Sequence, residues 1–150
     1  MMSRRKICLA EVTREYIERP YALGHTAGPG LDCFSLIYDY MGRIGAELPT
    51  QWRGLTMQSY ACLFERDPAY AKQLMVEFIE EHADEIPPAR AFAGDILLLH
   101  LCEQPESLPF LAIHGGQTVA LAASREFGVR PWDLRHYTIR RAWRYRRQSR

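Results

Sequence analysis

The sequence predicts an α+β fold in which N-terminal helices pack on a C-terminal antiparallel sheet. Apolar residues recur at three- and four-residue steps in the first half of the chain, as far as Pro87-Pro88. From Gly94 onward the pattern changes to short apolar runs separated by turns. Helices followed by sequential strands are typical of α+β proteins rather than of alternating α/β ones. The 150 residues contain no repeat and no linker, so we expect a single domain over residues 1–150.

The first two predicted helices flank an irregular loop. Residues 5–18 carry a helical apolar pattern that must end before Pro20, since proline cannot continue a helix from within. Residues 22–30 contain three glycines and a proline, which indicates a loop. A second amphipathic helix then begins at about Cys33 and should stop near Gly45.

A third helix has clearer boundaries than the segment before it. Residues 50–66 show weak periodicity, and we interpret them as a loop with one short helix that covers the core. Asp67 is a typical N-cap and Pro68 suits the first helical position. The apolar stripe continues to Ile86, so we predict a helix that ends at Pro87-Pro88.

The second half of the chain reads as strands. Residues 96–101 form an apolar run of strand length, and residues 110–114 form a second one. Gly115-Gly116 predicts a hairpin turn that returns as a strand over 118–123. A turn near Trp132 to Leu134 precedes a last strand over 137–143.

The charge distribution is uneven although the net charge is only +1. Six arginines lie in residues 140–150, whereas residues 77–85 are acidic. The arginines predict either a solvated terminus or a surface for an anionic partner. We do not expect nucleic acid as that partner, because basic and aromatic residues do not interleave on any predicted sheet face.

The four cysteines are widely spaced and form no C-x-x-C pair. We therefore expect no metal site, no disulfide framework and no cofactor. The apolar stretch that follows the N-terminal basic residues stops at Ala10, too early for a signal peptide, and no run is long enough for a membrane span. The sequence thus predicts that the chain is made as a soluble cytoplasmic protein.

Cys33 is placed where its chemistry would matter. A helix N-terminus offers unpaired N–H groups and a partial positive charge, which favour a thiolate and leave hydrogen-bond donors for an oxyanion. A free cysteine beside a helix start can equally be a small buried apolar residue. The segment alone leaves both interpretations open.

Three motifs in order resemble the NlpC/P60 family of cysteine peptidases. They are PYALG at 20–24, DCFSLI at 32–37, and GDILL at 94–98 with the hairpin after it. The resemblance covers most of the chain and implies a papain-like core with the nucleophile at the start of a helix packed on an antiparallel sheet. It implies acyl transfer, in which a thiolate attacks an amide carbonyl and a histidine carries the proton.

Site residues follow from this resemblance. Cys33 would be the nucleophile, Tyr21 would hydrogen-bond the oxyanion, and Asp32 is a further oxyanion or orienting candidate. The family's histidine aligns with Phe110 in the register that keeps the Gly-Gly hairpin, and the site would then be degenerate. A shifted register would place His114 in the catalytic position, and His100 at the end of the preceding strand is another candidate for an orienting role.

Two functions remain open at this stage. The compact length, Leu48-Pro49 and the ending over 132–144 look most like family members encoded among phage and gene-transfer-agent tail genes. That likeness implies a peptidase or amidase that opens bacterial cell-wall peptides during envelope penetration, carried in a virion or a phage-like tail. The alternative is a non-catalytic structural component of a tail tip or baseplate, with other tail proteins as its partners.

Overall fold

A computed structural model describes residues 15–16, 33–103, 109–124 and 128–146, and all structural statements below refer to these residues. They contain three α-helices, two short 3-10 turns and six strands. The helices are α1 (Cys33–Arg43), α2 (Met57–Arg66) and α3 (Pro68–His82). The strands are β1 (Ala83–Ile86), β2 (Ile96–Leu101), β3 (Phe110–Gly116), β4 (Val119–Ser124), β5 (Gly128–Asp133) and β6 (Tyr137–Tyr145).

The six strands form one antiparallel sheet in the order β1-β6-β2-β3-β4-β5. Strands β2 to β5 follow one another in sequence, and β6 returns to pair with β2 at the other side of the sheet. The helices pack on this sheet, which confirms the predicted α+β class. The predicted helix over 5–18 and the loop over 22–30 lie almost entirely outside the described residues.

The helical half agrees with the sequence except at the end of its last helix. Helix α1 ends at Arg43, as expected from Gly45. The short helix expected within residues 50–66 is α2, which begins after Thr56 because the Thr56 side chain accepts from the N–H of Ser59 and the Ser59 side chain accepts from the N–H of Thr56. Helix α3 begins as predicted but stops at His82, and residues 83–86 leave it to form β1.

The strands differ from the prediction mainly at their ends. Gly115-Gly116 does not form the hairpin turn but extends β3, and the turn falls at Gln117 and Thr118. Strand β5 was not predicted, because Arg130-Pro131 interrupts an apolar alternation. Proline lacks an N–H, and β5 tolerates it as the edge strand of the sheet.

The sheet has two faces with different surroundings. The helix-covered face contains the apolar residues that share a buried cluster with α1, α2 and α3: Ile96, Leu98, Leu111, Ile113, Leu121, Val129 and Trp143. The outer face contains a separate cluster of smaller residues: Leu97, Leu99, Ala112, Ala120, Ala122 and Ala142, with Phe110, Trp132, Leu134, Tyr137 and Ile139 packed against it. Successive side chains on a strand point to opposite faces, so each strand contributes to both clusters.

None of the helices within the described ranges is long and apolar enough to cross a membrane.

Candidate active site

The predicted nucleophile position is the first residue of α1. The backbone of Cys33 is helical, and α1 packs across β3 and β4. This confirms the expected placement of residue 33 at a helix N-terminus. The side chain of Cys33, and all of Tyr21 and Asp32, lie outside the described residues, so the contacts of the thiol stay a prediction.

The C-terminal half of α1 is anchored to one end of the sheet. The hydroxyl of Tyr40 donates to the carbonyl oxygen of Gly94 at 2.8 Å, just before β2 begins. Burial and the charge of Asp95 raise the pKa of Tyr40 to about 12, which keeps this hydroxyl protonated as a donor. Tyr40 lies seven residues after Cys33, about 10 Å along the helix axis. The start of α1 is therefore directed away from the Gly94 end of the sheet.

Phe110 lies at the start of β3 on the outer face. Its neighbour Leu111 belongs to the cluster under the helices, whereas Phe110 packs in the outer cluster. The Phe110 ring meets the Tyr137 ring edge-on, with 5.5 Å between the centroids. A side chain at position 110 thus points to the face of β3 that α1 does not cover.

His114 is buried at the opposite end of β3. It is only 6 % exposed, and alternation along β3 places it on the outer face with Phe110. Its Nδ1 accepts the backbone N–H of Gly116 at 3.0 Å, so the neutral ring carries its proton on Nε2. Burial lowers the pKa of His114 below its ordinary value of 6.5, against the opposing charge of Asp95. The pairing of His114 with Cys33 stays a prediction.

The aspartate of the Gly94-Asp95 motif is buried and forms an ion pair with the partly exposed Arg144. Asp95 is 3 % exposed and accepts Arg144 Nε at 3.0 Å and Nη2 at 2.9 Å, together with the backbone N–H of Phe92 at 3.0 Å. The Arg144 guanidinium also lies over the Phe92 ring, 4.1 Å from its centroid. These contacts fasten the start of β2 to the end of β6. In this chain the carboxylate of Asp95 therefore has a structural role, in which it pairs with Arg144.

His100 lies at the other end of β2 from Gly94. It alternates with Ile96 and Leu98, which places it on the helix-covered face, opposite Thr138 of β6. Its Nδ1 is buried and has no hydrogen-bond partner among the described residues. Of the two histidines predicted for the site, His100 is the one on the face that α1 covers.

The arginine-rich C-terminal region pairs with the acidic stretch of the same chain. Arg141 contacts the carboxylates of Glu80 and Glu85, and Arg146 lies 3.0 Å from Asp84. For these arginines the sequence left two possibilities open, a solvated terminus or a surface for an anionic partner. Arg141 and Arg146 instead fasten β6 and the residue after it to the end of α3 and to β1, a third arrangement that depends on the tertiary fold.

Candidate metal ligands do not cluster in the described parts of the chain. No group of three or more histidine, cysteine, aspartate or glutamate side chains is close enough there to hold an ion. The two cysteines whose side chains are described, Cys62 and Cys102, are free and exposed.

Sequence reasoning missed a cavity beside the start of α1. It has a volume of about 170 Å³ and lies between α1, the segment over 49–57, α2 and α3. Its lining includes five aromatic side chains, among them that of Phe34, which directly follows Cys33. The weak periodicity of residues 50–66 concealed this site, although their aromatic and apolar content was visible.

Comparison with known proteins finds proteins that resemble this chain in structure, but none that a comparison of sequences matches to it. A scan against models of protein families finds no match for this chain, and a search of curated proteins finds none. Solved structures do resemble it. The NlpC/p60 domain of the peptidoglycan hydrolase SagA superposes with a TM-score of 0.56 at 20 % identity, covering 89 % of this chain and 93 % of that one.

Two longer proteins give similar superpositions. The Staphylococcus aureus protein SAV0400, described as similar to a lipoprotein of the NLP/P60 family, has a TM-score of 0.54 at 19 % identity over 93 % of this chain. NlpC2 from Trichomonas vaginalis has a TM-score of 0.60 at 18 % identity over 91 % of this chain. The superpositions span 41 % and 45 % of those two chains. At these identities the likeness shows that the fold is that of NlpC/P60 domains.

Proposed function

We propose that this protein is a cysteine peptidase or amidase that cleaves peptide bonds of bacterial peptidoglycan. The observation that carries the proposal is the position of Cys33 as the first residue of α1, which packs on an antiparallel sheet. The NlpC/p60 domain of SagA, which has the same fold, is part of a protein named as a peptidoglycan hydrolase. The helix N-terminus supplies the electrostatic environment that a thiolate needs.

The proposed reaction is acyl transfer through a thioester. The Cys33 sulfur attacks the amide carbonyl carbon, and the C–N bond breaks after the leaving amine takes the proton that a histidine accepted from the thiol. Water then attacks the thioester, which releases the acid and restores the thiol. Tyr21 and the N–H groups at the start of α1 would hydrogen-bond the oxyanion, and Asp32 would orient the site.

The histidine that accepts the proton is either His114 or His100. The Nδ1 of His114 is already engaged by Gly116, and its strand presents it on the outer face. The buried Nδ1 of His100 has no partner among the described residues, on the face that α1 covers. These contacts favour His100 as the base, with His114 as the alternative.

We also propose a setting for this activity. The resemblance to phage and gene-transfer-agent tail proteins suggests that the chain is made in the bacterial cytoplasm, assembles with tail-tip or baseplate proteins, and acts when the tail meets the cell wall.

One observation favours a second function, that of a non-catalytic structural protein. Phe110 packs against Tyr137 in the outer cluster, where the resemblance leads one to expect a catalytic histidine. A protein that kept the fold for its packing surfaces, as a tail-tip or baseplate component, would tolerate this residue. Cys33 would then be a remnant of an ancestral site.

Hydrolysis of purified peptidoglycan separates the two functions. We expect the protein to release new amino groups, and Cys33→Ala to lower the rate by at least about 100-fold, because no other group replaces the thiolate. Cys102→Ala, which removes an exposed free cysteine, is the control and should leave the rate unchanged. No release of amines by the parent protein, or equal rates for Cys33→Ala, would exclude the peptidase and leave the structural function.

The same assay identifies the base. If His100 accepts the proton, His100→Gln should lower the rate about 100-fold or more and His114→Gln should not. The reverse order would assign the role to His114.

A further inference from the structure

The hairpin formed by β3 and β4 is irregular at its closed end. Pairing is regular as far as His114 and Ala120. The next pair is Gly116 with Val119, so β3 has one residue more than β4 there, Gly115, which forms a β-bulge. A bulge interrupts the ladder of backbone hydrogen bonds, and here the N–H of Gly116 donates to the imidazole Nδ1 of His114 at 3.0 Å. A side chain therefore takes the place of a strand as the acceptor.

The backbone of His114 holds its ring where it accepts this bond. The His114 N–H donates to the carbonyl oxygen of Asp95 at 2.8 Å, and the His114 carbonyl oxygen accepts the N–H of Gly94 at 2.8 Å. The side chain is buried. Only a neutral imidazole has a lone pair on Nδ1, since both ring nitrogens are donors once the ring is protonated. The bond to Gly116 therefore exists in one protonation state of the ring.

The charged groups around the ring come from two sides of the hairpin. Asp95, just before β2, favours the protonated ring, but its carboxylate is already paired with Arg144 of β6. On β4 the residue opposite is Ala120, and the turn over 117–118 carries no charge. Burial outweighs the attraction of Asp95 and holds the pKa of His114 below its ordinary value of 6.5. The ring is thus neutral at neutral pH and takes up a proton only on acidification.

A proton on Nδ1 would remove the acceptor of Gly116. Two donors would then face each other, and a buried donor without an acceptor is costly. The backbone beside it can rearrange, because Gly115 and Gly116 have no Cβ atom, the φ of Gly116 is +103°, and residues 117–119 are exposed. The bonds from His114 to Gly94 and Asp95 do not involve the ring, so the pairing of β2 with β3 does not depend on its charge.

We propose that the closed end of this hairpin, residues 115–118, is an acid-sensitive switch: protonation of His114 breaks its bond with Gly116, and the bulge rearranges while the rest of the sheet stays folded. The neutral ring holds the bulge in the arrangement described above, and the protonated ring releases it. This inference concerns a conformational change and does not depend on the proposed peptidase activity.

NMR titration of the intact, ¹⁵N-labelled protein tests the switch. Long-range ¹H–¹⁵N spectra report the protonation of the His114 ring, and hydrogen exchange reports the protection of each backbone amide. Above the pKa of His114 we expect the ring to carry its proton on Nε2. As the pH falls through that pKa, the protection factor of the Gly116 amide should fall at least about tenfold, because its acceptor is lost. The amides of Ile113 and Leu121, paired in the regular part of the hairpin, should keep theirs.

Two substitutions separate His114 from the other titrating groups. His114→Gln keeps an oxygen that can accept the Gly116 N–H but does not titrate, so the protection of Gly116 should no longer change with pH. His136→Gln replaces an exposed histidine and is the control, which should leave the transition unchanged. If His114→Gln does not fold, the titration of the parent protein decides the question by itself.

The titration can contradict the switch in several ways. A neutral His114 ring with its proton on Nδ1, or a ring that stays neutral until the whole protein unfolds, would overturn it. Unchanged protection of Gly116 while His114 titrates, or the same loss of protection in His114→Gln, would also overturn it. A simultaneous loss of protection at Ile113 and Leu121 would mean that the whole hairpin opens, and a rearrangement confined to the bulge would then be wrong.

Discussion

The two faces of the sheet stabilise the protein in different ways. The helix-covered face is built from large apolar and aromatic side chains, and the helices above it leave a cavity next to α1. The outer face combines small apolar residues with the buried polar residues Asp95 and His114, and Asp95 is paired with the partly exposed Arg144. Hydrophobic packing dominates the first face, while the second also depends on hydrogen bonds that must be satisfied because they are buried.

The site candidates that the NlpC/P60 resemblance groups together lie on different faces of the sheet. Cys33 begins the helix on one face, while Phe110 and His114 lie on the other. His100 shares the helix-covered face. Alignment with a family motif is therefore a weaker guide to catalytic partners than the face of the sheet on which each side chain lies.

Of the changes that test this difference between the two faces, removing the carboxylate of Asp95 should lower the free energy of unfolding most. Asp95→Ala deletes both bonds from Arg144 and leaves the Phe92 N–H without its acceptor, so we expect a loss of about 3 kcal/mol in the free energy of unfolding. Urea denaturation measures it. Asp133→Ala, which breaks the pair with the exposed Arg135, is the control and should cost much less, because solvent screens that pair. Equal losses would mean that burial of the Asp95 carboxylate has no consequence for stability.

Acidification should affect the outer face through His114. Its pKa is lowered in the folded protein, so below pH 6.5 the unfolded chain binds a proton that the folded protein resists. Stability should thus be constant above that pH and fall as the pH drops from 6.5 towards the lowered pKa, with a slope of up to about 1.4 kcal/mol per pH unit for one histidine.

Unfolding curves at several pH values, for the parent protein and for His114→Gln, measure this slope. Burial also lowers the pKa of His82, so the double variant with His82→Gln isolates the contribution of each ring. An unchanged slope in His114→Gln would contradict a role for the outer face in this pH dependence.

The smallest effect is expected for Arg141, three residues before Arg144 on β6 but on the helix-covered side. Its pairs with Glu80 and Glu85 are partly exposed, so Arg141→Gln should cost only about 0.5 kcal/mol, and less at high salt. Arg140→Gln changes an exposed neighbour on the same strand and is the control. Thermal unfolding at low and high salt detects the difference. A loss as large as that of Asp95→Ala would show that the two ion pairs are equivalent.

Much of the fold could be predicted from local patterns. Asp67 and Pro68 mark the start of α3 because a cap and a fixed φ act within one turn of chain. The apolar run at 96–101 became β2 without correction. The predictions were wrong where distant contacts decided the outcome: residues 83–86 pair with β6 instead of continuing α3, and Pro131 lies in a strand because β5 is at the sheet edge.

The candidate site was only partly visible in the sequence. The position of Cys33 at a helix start was predicted correctly, since glycine-rich loops and amphipathic periodicity are local signals. The surroundings of His114 and the cavity beside Phe34 were not. Both are built from segments that lie far apart in the chain, and no local pattern encodes which of them meet.

The sequence by itself determined most of the helices and strands, and that Cys33 begins a helix, because caps, prolines and periodicity act between near neighbours. Only the tertiary structure decided which face of the sheet the helices cover, and hence that His100 shares it while Phe110 and His114 do not. The physical reason is that alternation fixes which side chains of a strand share a face, but burial by distant helices selects between the two faces.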